Sequence, residues 1–307
     1  MQRLRCTPKI NVPMHSMKYR VFFITLLLLA CPQIAGIAAE SMGSLPGESL
    51  PLTSIPRRPH DAVSGSEFAL KASGLSGQEQ QRAALIELRK GNIPEFLRTL
   101  KPVHLAYTPP DGKTMTAIIW VTPDYLAIGP NNDFLRMPLT YPSAAVIARE
   151  FGCILPTRKM VDAIYAQAAC HLKPQPLPAG PKMGSIGYCL KHQQQIEAQR
   201  AHDPLGELIA GHKKDVVLTN LLRRHPDRIA IYGWHQLNGR PIQPLSTVHG
   251  ARYADYSHGI RLVYQTVWIA GQPHDIFEVL NNPKLAPLLT DEGAIARPRT
   301  LLSAVIE

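Results

Sequence analysis

The 307-residue chain lacks the marks of several function classes. It has no glycine-rich phosphate loop of the P-loop or dinucleotide type, which argues against those two modes of nucleotide binding. No dense Lys/Arg run is interleaved with aromatics, so nucleic acid is not indicated as a partner despite a formal charge of +10. Beyond the first thirty residues, no stretch approaches the roughly 20 apolar residues needed to cross a bilayer. No internal repeat is visible, which argues against a solenoid. Cysteine is scarce: five in all, with Cys153, Cys170 and Cys189 the only ones after residue 39. Three is an odd number, so at least one thiol stays unpaired. Apolar residues at 45% and charged residues at 18% do not fit a disordered chain, and the length allows one large domain or two small ones.

What is present at the start reads as an export signal. Residues 1–39 hold Arg3, Arg5, Lys9, Lys18 and Arg20 and no acidic residue. Val21 to Ala30 is apolar except for Thr25, too short to span a membrane, and small residues follow. A basic start, a short apolar core and a small-residue stretch make a secretory signal peptide. Cleavage after Ala38 or Ala39 predicts a periplasmic or extracellular protein. Leu28-Leu29-Ala30-Cys31 resembles a lipobox and gives the alternative, a lipoprotein anchored at Cys31. Removing the five basic residues leaves 28 basic against 23 acidic ones, a mature charge of +5.

The rest predicts an α+β fold with a largely antiparallel sheet, because helices and strands come in blocks rather than in alternation. Residues 40–75, rich in Ser, Gly and Pro, read as a flexible leader, and 76–307 as a single domain. Ser76 and Glu79 form a capping box that opens a helix, and Gly91 can close it. A hairpin is expected from 103 to 121, then short strands at 125–128 and 134–137. The helical part runs roughly over 141–200, with Pro156 in the first turn of one helix. The strand-rich part covers 205–270 and includes one strand over 260–269. Cys170 and Cys189 flank a Pro-rich link; they read as a disulfide or as buried free thiols.

Chemistry concentrates late in the chain. Nine of twelve His lie at or after position 171, and the densest part runs from 211 to 259. It contains His212-Lys213-Lys214-Asp215, Tyr232-Gly233-Trp234-His235 and His249 to Gly259. Each piece lies beside Gly at an expected strand end or loop, where catalytic groups are often carried. Three chemistries suit these residues. Neutral His and ionised Asp ligate zinc, with His249, Asp255 and His258 as the metal candidates. His212, Asp215, His235, Asp255 and His258 suit general acid–base work, a base beside an orienting carboxylate. Cys153 would be a nucleophile if the Pro156 helix lowered its thiol pKa and His212, His235 or His258 acted as base. Lys213, Trp234, Tyr253 and Tyr256 would hold substrate, through charge or stacking, or else belong to a turn and the core.

The HKKDVV, YGWH and YADYSHGIRLV segments resemble an uncharacterised group of exported bacterial proteins, over roughly residues 90–290. That resemblance brings no activity with it. Ser257-His258-Gly259-Ile260-Arg261-Leu262 is similar to the Ser-His-Gly-Cys-Ile-Arg signature of L,D-transpeptidases, with His249-Gly250 echoing their upstream His-Gly. The nucleophilic Cys would stand between Gly259 and Ile260 and is absent. His249 and Asp255 resemble the His-x6-Asp element of D-Ala-D-Ala carboxypeptidase-like metallopeptidases, one residue short. The expectation is therefore a hydrolase acting through a His/Asp site on an extracytoplasmic polymer, peptidoglycan or polysaccharide. The alternative is a non-catalytic cell-envelope or ligand-binding protein.

Overall fold

The computed structural model describes residues 47–110 and 112–303. The segment read as a signal peptide and the Cys31 acylation site lie outside the described residues.

The fold is α+β with mostly antiparallel sheets. The larger sheet centres on Met115–Val121, which pairs along its whole length with Thr99–Tyr107. Its other side is shared by two short strands: Val263 lies opposite Val121, and Trp268 opposite Ile118. A smaller four-stranded sheet runs in the order Pro241–Ser246, Ile231–His235, Lys214–Val216, His258–Gly259. Its last pairing is parallel, with His258 opposite Lys214 and Gly259 opposite Asp215. The single strand expected over 260–269 is instead two, Val263–Tyr264 and Thr266–Ile269, preceded by a third short strand at His258–Gly259. The reason is a change of partner. His258–Gly259 belongs to the small sheet, Val263–Tyr264 and Thr266–Ile269 to the large one, and 260–262 crosses between them. Residues 122–126 run beside that crossing: Thr122 N donates to Leu262 O (2.9 Å) and Leu126 N to Ile260 O (2.8 Å). The two sheets therefore meet at 122–126 and 258–262.

The helical block holds Tyr141–Glu150, Arg158–Gln167 and Ile186–Arg200, each opened by a Thr or Ser whose side chain accepts a first-turn N–H. Pro156 precedes the Thr157 cap instead of entering the first turn, since the cap fixes where the helix begins. The flexible-leader expectation fails for the described part of 40–75. Leu50–Pro51 pairs with Thr99–Leu100, and Gly65–Ala72 is a helix with its own capping box from Ser64 and Glu67. Leu52, Ile55, Phe68, Ala69 and Ala72 are buried in the core, so a few apolar residues anchor a segment whose composition looks like a linker. The capping box at Ser76 and Glu79 is present, and that helix ends before Gly91. Gly91 adopts φ +78°, and a Cβ there would lie 2.0 Å from the Pro56 carbonyl oxygen.

Cys153, Cys170 and Cys189 are all free thiols, so the disulfide reading is not met. Cys170 Sγ donates to Asp203 Oδ2 (2.7 Å), while Cys189 is buried on the Ile186–Arg200 helix.

Gly259 sits at the sheet junction with no room for a side chain. A Cβ there would stand 2.5–2.8 Å from the buried Tyr125 ring. Gly259→Ala is expected to destabilise the protein by about 1–3 kcal/mol through overpacking. Urea denaturation checks this; an unchanged midpoint would show that the ring can move aside.

Candidate functional site

The sequence-predicted residues gather around the sheet junction but do not form one centre. His212, His235 and His258 each face a different aspartate. His212 Nε2 lies 3.0 Å from Asp124 Oδ1, His235 Nε2 3.0 Å from Asp162 Oδ1, and His258 Nε2 3.8 Å from Asp255 Oδ2.

The first pair belongs to a buried charge network. Arg136 donates to Asp124 Oδ2 through Nη2 (2.5 Å) and Nε (2.9 Å), and through Nη1 to Glu197 Oε1 (2.7 Å). Tyr125 N also donates to Asp124 Oδ1 (2.6 Å). Burial opposes ionisation of Asp124, but Arg136 and His212 outweigh it and hold the carboxyl far below its ordinary range. Burial pushes His212 down to about 4 despite the carboxylate beside it. Next to this network, Tyr125 donates to Asp215 Oδ2 (2.8 Å), and its ring stands 4.4 Å from the Arg261 guanidinium. Arg261 donates to Thr122 O (2.8 Å) and Ile209 O (2.7 Å), tying the 260–262 crossing to the segment beside it and to the strand Ile209–Ala210. Burial raises Asp215 to about 6, with Arg261 opposing the rise.

The third pair is equally enclosed. Asp255 accepts from Ser257 Oγ (2.5 Å), Ser257 N (2.8 Å) and the Tyr253 hydroxyl (3.0 Å). His258 is fully buried and pushed down to about 4 by that burial. His249 stacks on Tyr253 with ring centroids 4.2 Å apart. Among the described residues no three His, Cys, Asp or Glu side chains are grouped to hold a metal ion. His249, Asp255 and His258 are thus not assembled as a metal centre, because Ser257 and Tyr253 take up the Asp255 oxygens and His249 packs flat on a ring.

Three expected substrate contacts turn out to be core. Lys213 is buried, and its ammonium donates to Tyr256 O (2.5 Å) and faces His192 Nδ1 (3.4 Å). Burial lowers Lys213 to about 8. Trp234 takes a left-handed backbone, φ +57°, after Gly233 at φ +104°. Its ring packs edge-on against His192 and Tyr256, all three being buried. Tyr253 alone of the four keeps partial exposure. Cys153 does not stand at a helix start. It is a buried strand residue opposite Tyr264, and burial pushes its thiol well up, which removes the nucleophile reading.

The second pair differs from the other two because it reaches solvent. Asp162 and Tyr165 come from the Arg158–Gln167 helix, and Tyr232 and His235 from the small sheet. Asp162 Oδ1 accepts from both His235 Nε2 and the Tyr232 hydroxyl (2.8 Å). The Tyr165 ring stacks on the His235 ring at 4.5 Å and 18°. These side chains, with His171 and Leu237, line an open cavity of about 520 Å³. Asp162 is 47% exposed while His235 is 4% exposed, so the ring sits at the floor and the carboxylate at the rim. Gly233 holds a backbone conformation, φ +104°, that a side chain there would strain, and a Cβ would stand 3.3 Å from Val161 Cγ1 on the helix that carries Asp162.

Nothing in the sequence singles out Asp162, Tyr165, Asp124 or Arg136, and Arg261 enters there only within the Ser257–Leu262 segment, with no role of its own. Only Arg261 lies near the predicted stretch; Asp124 is 88 residues from His212, and Asp162 is 73 from His235. No local pattern links such positions. Comparison with protein-family models, curated proteins and solved structures finds no match.

The buried imidazoles set the acid stability. His192, His212 and His258 are all lowered, chiefly by burial, and stay neutral in the folded chain well below the ordinary value of 6.5. Below that value the unfolded chain takes up protons that the folded chain refuses, so stability present above it is lost as pH falls towards 4. Asp215 works the other way between 6 and its ordinary value of 3.8, because the folded form protonates first. The net slope near pH 5 is about 2–3 kcal/mol per pH unit. Urea midpoints at pH 7 and pH 5 measure it, and His258→Gln is expected to remove about 1.4 kcal/mol per pH unit of that slope. Equal slopes in the two proteins would mean that His258 is protonated in the fold.

Proposed function

We propose that the protein is an exported bacterial hydrolase acting on an extracytoplasmic polymer, peptidoglycan or polysaccharide, with His235 as general base and acid. The observation that carries this reading is that, of the three His–Asp pairs, His235–Asp162 borders an open cavity. Ionised Asp162 can only accept hydrogen bonds, so it takes Nε2–H and leaves the Nδ1 lone pair of a neutral ring to act as base. The Tyr232 hydroxyl holds the same carboxylate oxygen, and Tyr165 holds the ring plane. In this reading the imidazole removes a proton from water as that water attacks the acyl or glycosyl carbon. The imidazolium, stabilised by Asp162, then returns the proton to the leaving oxygen or nitrogen. The basic, apolar start of the chain supports export.

A second reading, a non-catalytic envelope or ligand-binding protein, is favoured by a different observation. His212, Asp215, Asp255 and His258 are buried, and three of the four are tied into interior hydrogen bonds, as structural polar groups are.

Purified protein incubated with cell-wall sacculi and with mixed polysaccharides separates the two. The hydrolase reading expects soluble fragments, with His235→Ala slower by about 10²–10⁴-fold. Asp162→Asn is expected to be slower as well, because the amide no longer imposes one ring tautomer. Sacculus binding without product would support the second reading. Product release unchanged in His235→Ala would sink the assignment of His235.

A further inference from the structure

In the cavity at His235, every N–H and O–H on the lining side chains is already spent inside the protein. The Tyr232 hydroxyl and His235 Nε2 donate to Asp162 Oδ1. The Tyr165 hydroxyl donates to Gln236 O (2.7 Å). His171 Nε2 lies 2.7 Å from Tyr165 O, and a carbonyl oxygen only accepts, so that nitrogen carries the proton. The other lining residues are Ala, Leu, Gly and Pro, without a side-chain donor.

What stays open is a set of acceptors. Asp162 Oδ2 makes no hydrogen bond among the described residues, and its side chain is half-exposed. His171 is exposed, and with Nε2 protonated its neutral ring keeps the Nδ1 lone pair. His235 Nδ1 has no partner either; unlike Nδ1 of His212 and of His258, it is not sealed from solvent. Among the described residues no Lys or Arg lines the cavity. Leu237, 63% exposed, and Pro241 give it an apolar border.

These lone pairs choose the ligand. A carboxylate or phosphate offers no hydrogen and would meet Asp162 with like charge; such groups are bound where Arg or Lys is present. A polycation suits Asp162 but is opposed by a chain with 33 basic against 23 acidic residues. A sugar hydroxyl donates as well as accepts, and a sugar ring also has an apolar C–H face. We propose that this cavity takes an uncharged sugar unit of a neutral glycan. Its hydroxyls donate to Asp162 Oδ2 and His171 Nδ1, and its C–H face lies on Leu237 and Pro241. The inference deepens the hydrolase reading and rests on it for the chemistry at His235. The substrate is then a neutral glycan, not the peptide of peptidoglycan or an acidic polysaccharide.

Calorimetric titration of the full chain tests this. Cellohexaose and N-acetylchitohexaose are the neutral ligands, hexagalacturonate the anionic one, the glucosamine hexamer the cationic one, and an L-Ala-D-Glu stem peptide the peptide. At least one neutral hexamer is expected to bind, with the charged hexamers and the peptide weaker by about tenfold or more. His171→Ala is expected to weaken the neutral binder by about two- to tenfold, the value of one hydrogen bond. Asp162→Asn is expected to narrow the neutral lead over hexagalacturonate by about threefold or more, because the like charge is gone. The proposal is overturned if no neutral hexamer binds at roughly 5 mM, or if a charged hexamer or the peptide binds as tightly as the best neutral one. It is also overturned if His171→Ala binds like wild type, or if Asp162→Asn keeps the full lead. Binding of a neutral hexamer without its cleavage would end the hydrolase reading and leave this inference standing. Cleavage of peptide bonds but of no glycan would end this inference and leave the hydrolase reading standing.

Discussion

A buried charge must be paired, and the pairing of Asp124 with Arg136 and His212 organises the centre of this protein. Asp124 lies just past the central strand of the large sheet, Arg136 on the small hairpin that follows, and His212 leads into the small sheet. Glu197 adds the Ile186–Arg200 helix to the same guanidinium. One ionic cluster thus ties together four parts of the chain. Removing a single partner would leave an uncompensated charge in the interior, a much larger cost than the net value of the intact cluster. Arg261 repeats the logic a few residues away by donating to carbonyls on two other segments.

This arrangement explains why a stretch so rich in His, Asp and Tyr offers so little reactive surface. The strand Lys214–Val216 is interior, flanked by Ile231–His235 and His258–Gly259. Side chains along these strands meet other protein groups on both faces. His212, Lys213, Asp215, Tyr256 and His258 are therefore constrained by burial, and their protonation is set by desolvation more than by any ligand. His235 is buried too, but it ends its strand and borders the open cavity, where the sheet gives way to the exposed turn that follows and to the helix carrying the half-exposed Asp162.

Much of the fold could be read directly, and the reasons are local. Ser76 and Glu79 predict a cap because the box closes within one turn, and the structure has it. Block-wise helices and strands predict α+β, as found. The failures share a cause in long-range partners. The stretch 260–269 reads as one strand by composition, yet 260–262 crosses over from the small sheet and only 263–264 and 266–269 pair, both in the large one. Residues 40–75 read as a flexible leader, yet Leu52, Ile55 and Phe68 reach the core. Trp234 and Tyr256 read equally as stacking platforms or as core, and only their packing against His192 decides.

The sequence by itself determined the types of group present, their clustering between 211 and 259, the helix starts and the fold class, because each depends on neighbours within a turn or a strand. The tertiary structure decided which histidine meets which aspartate, which of those pairs sees water, and which lone pairs are left facing a cavity. Those are properties of contacts across tens of residues, and burial and charge pairing acquire values only once the two sheets have met.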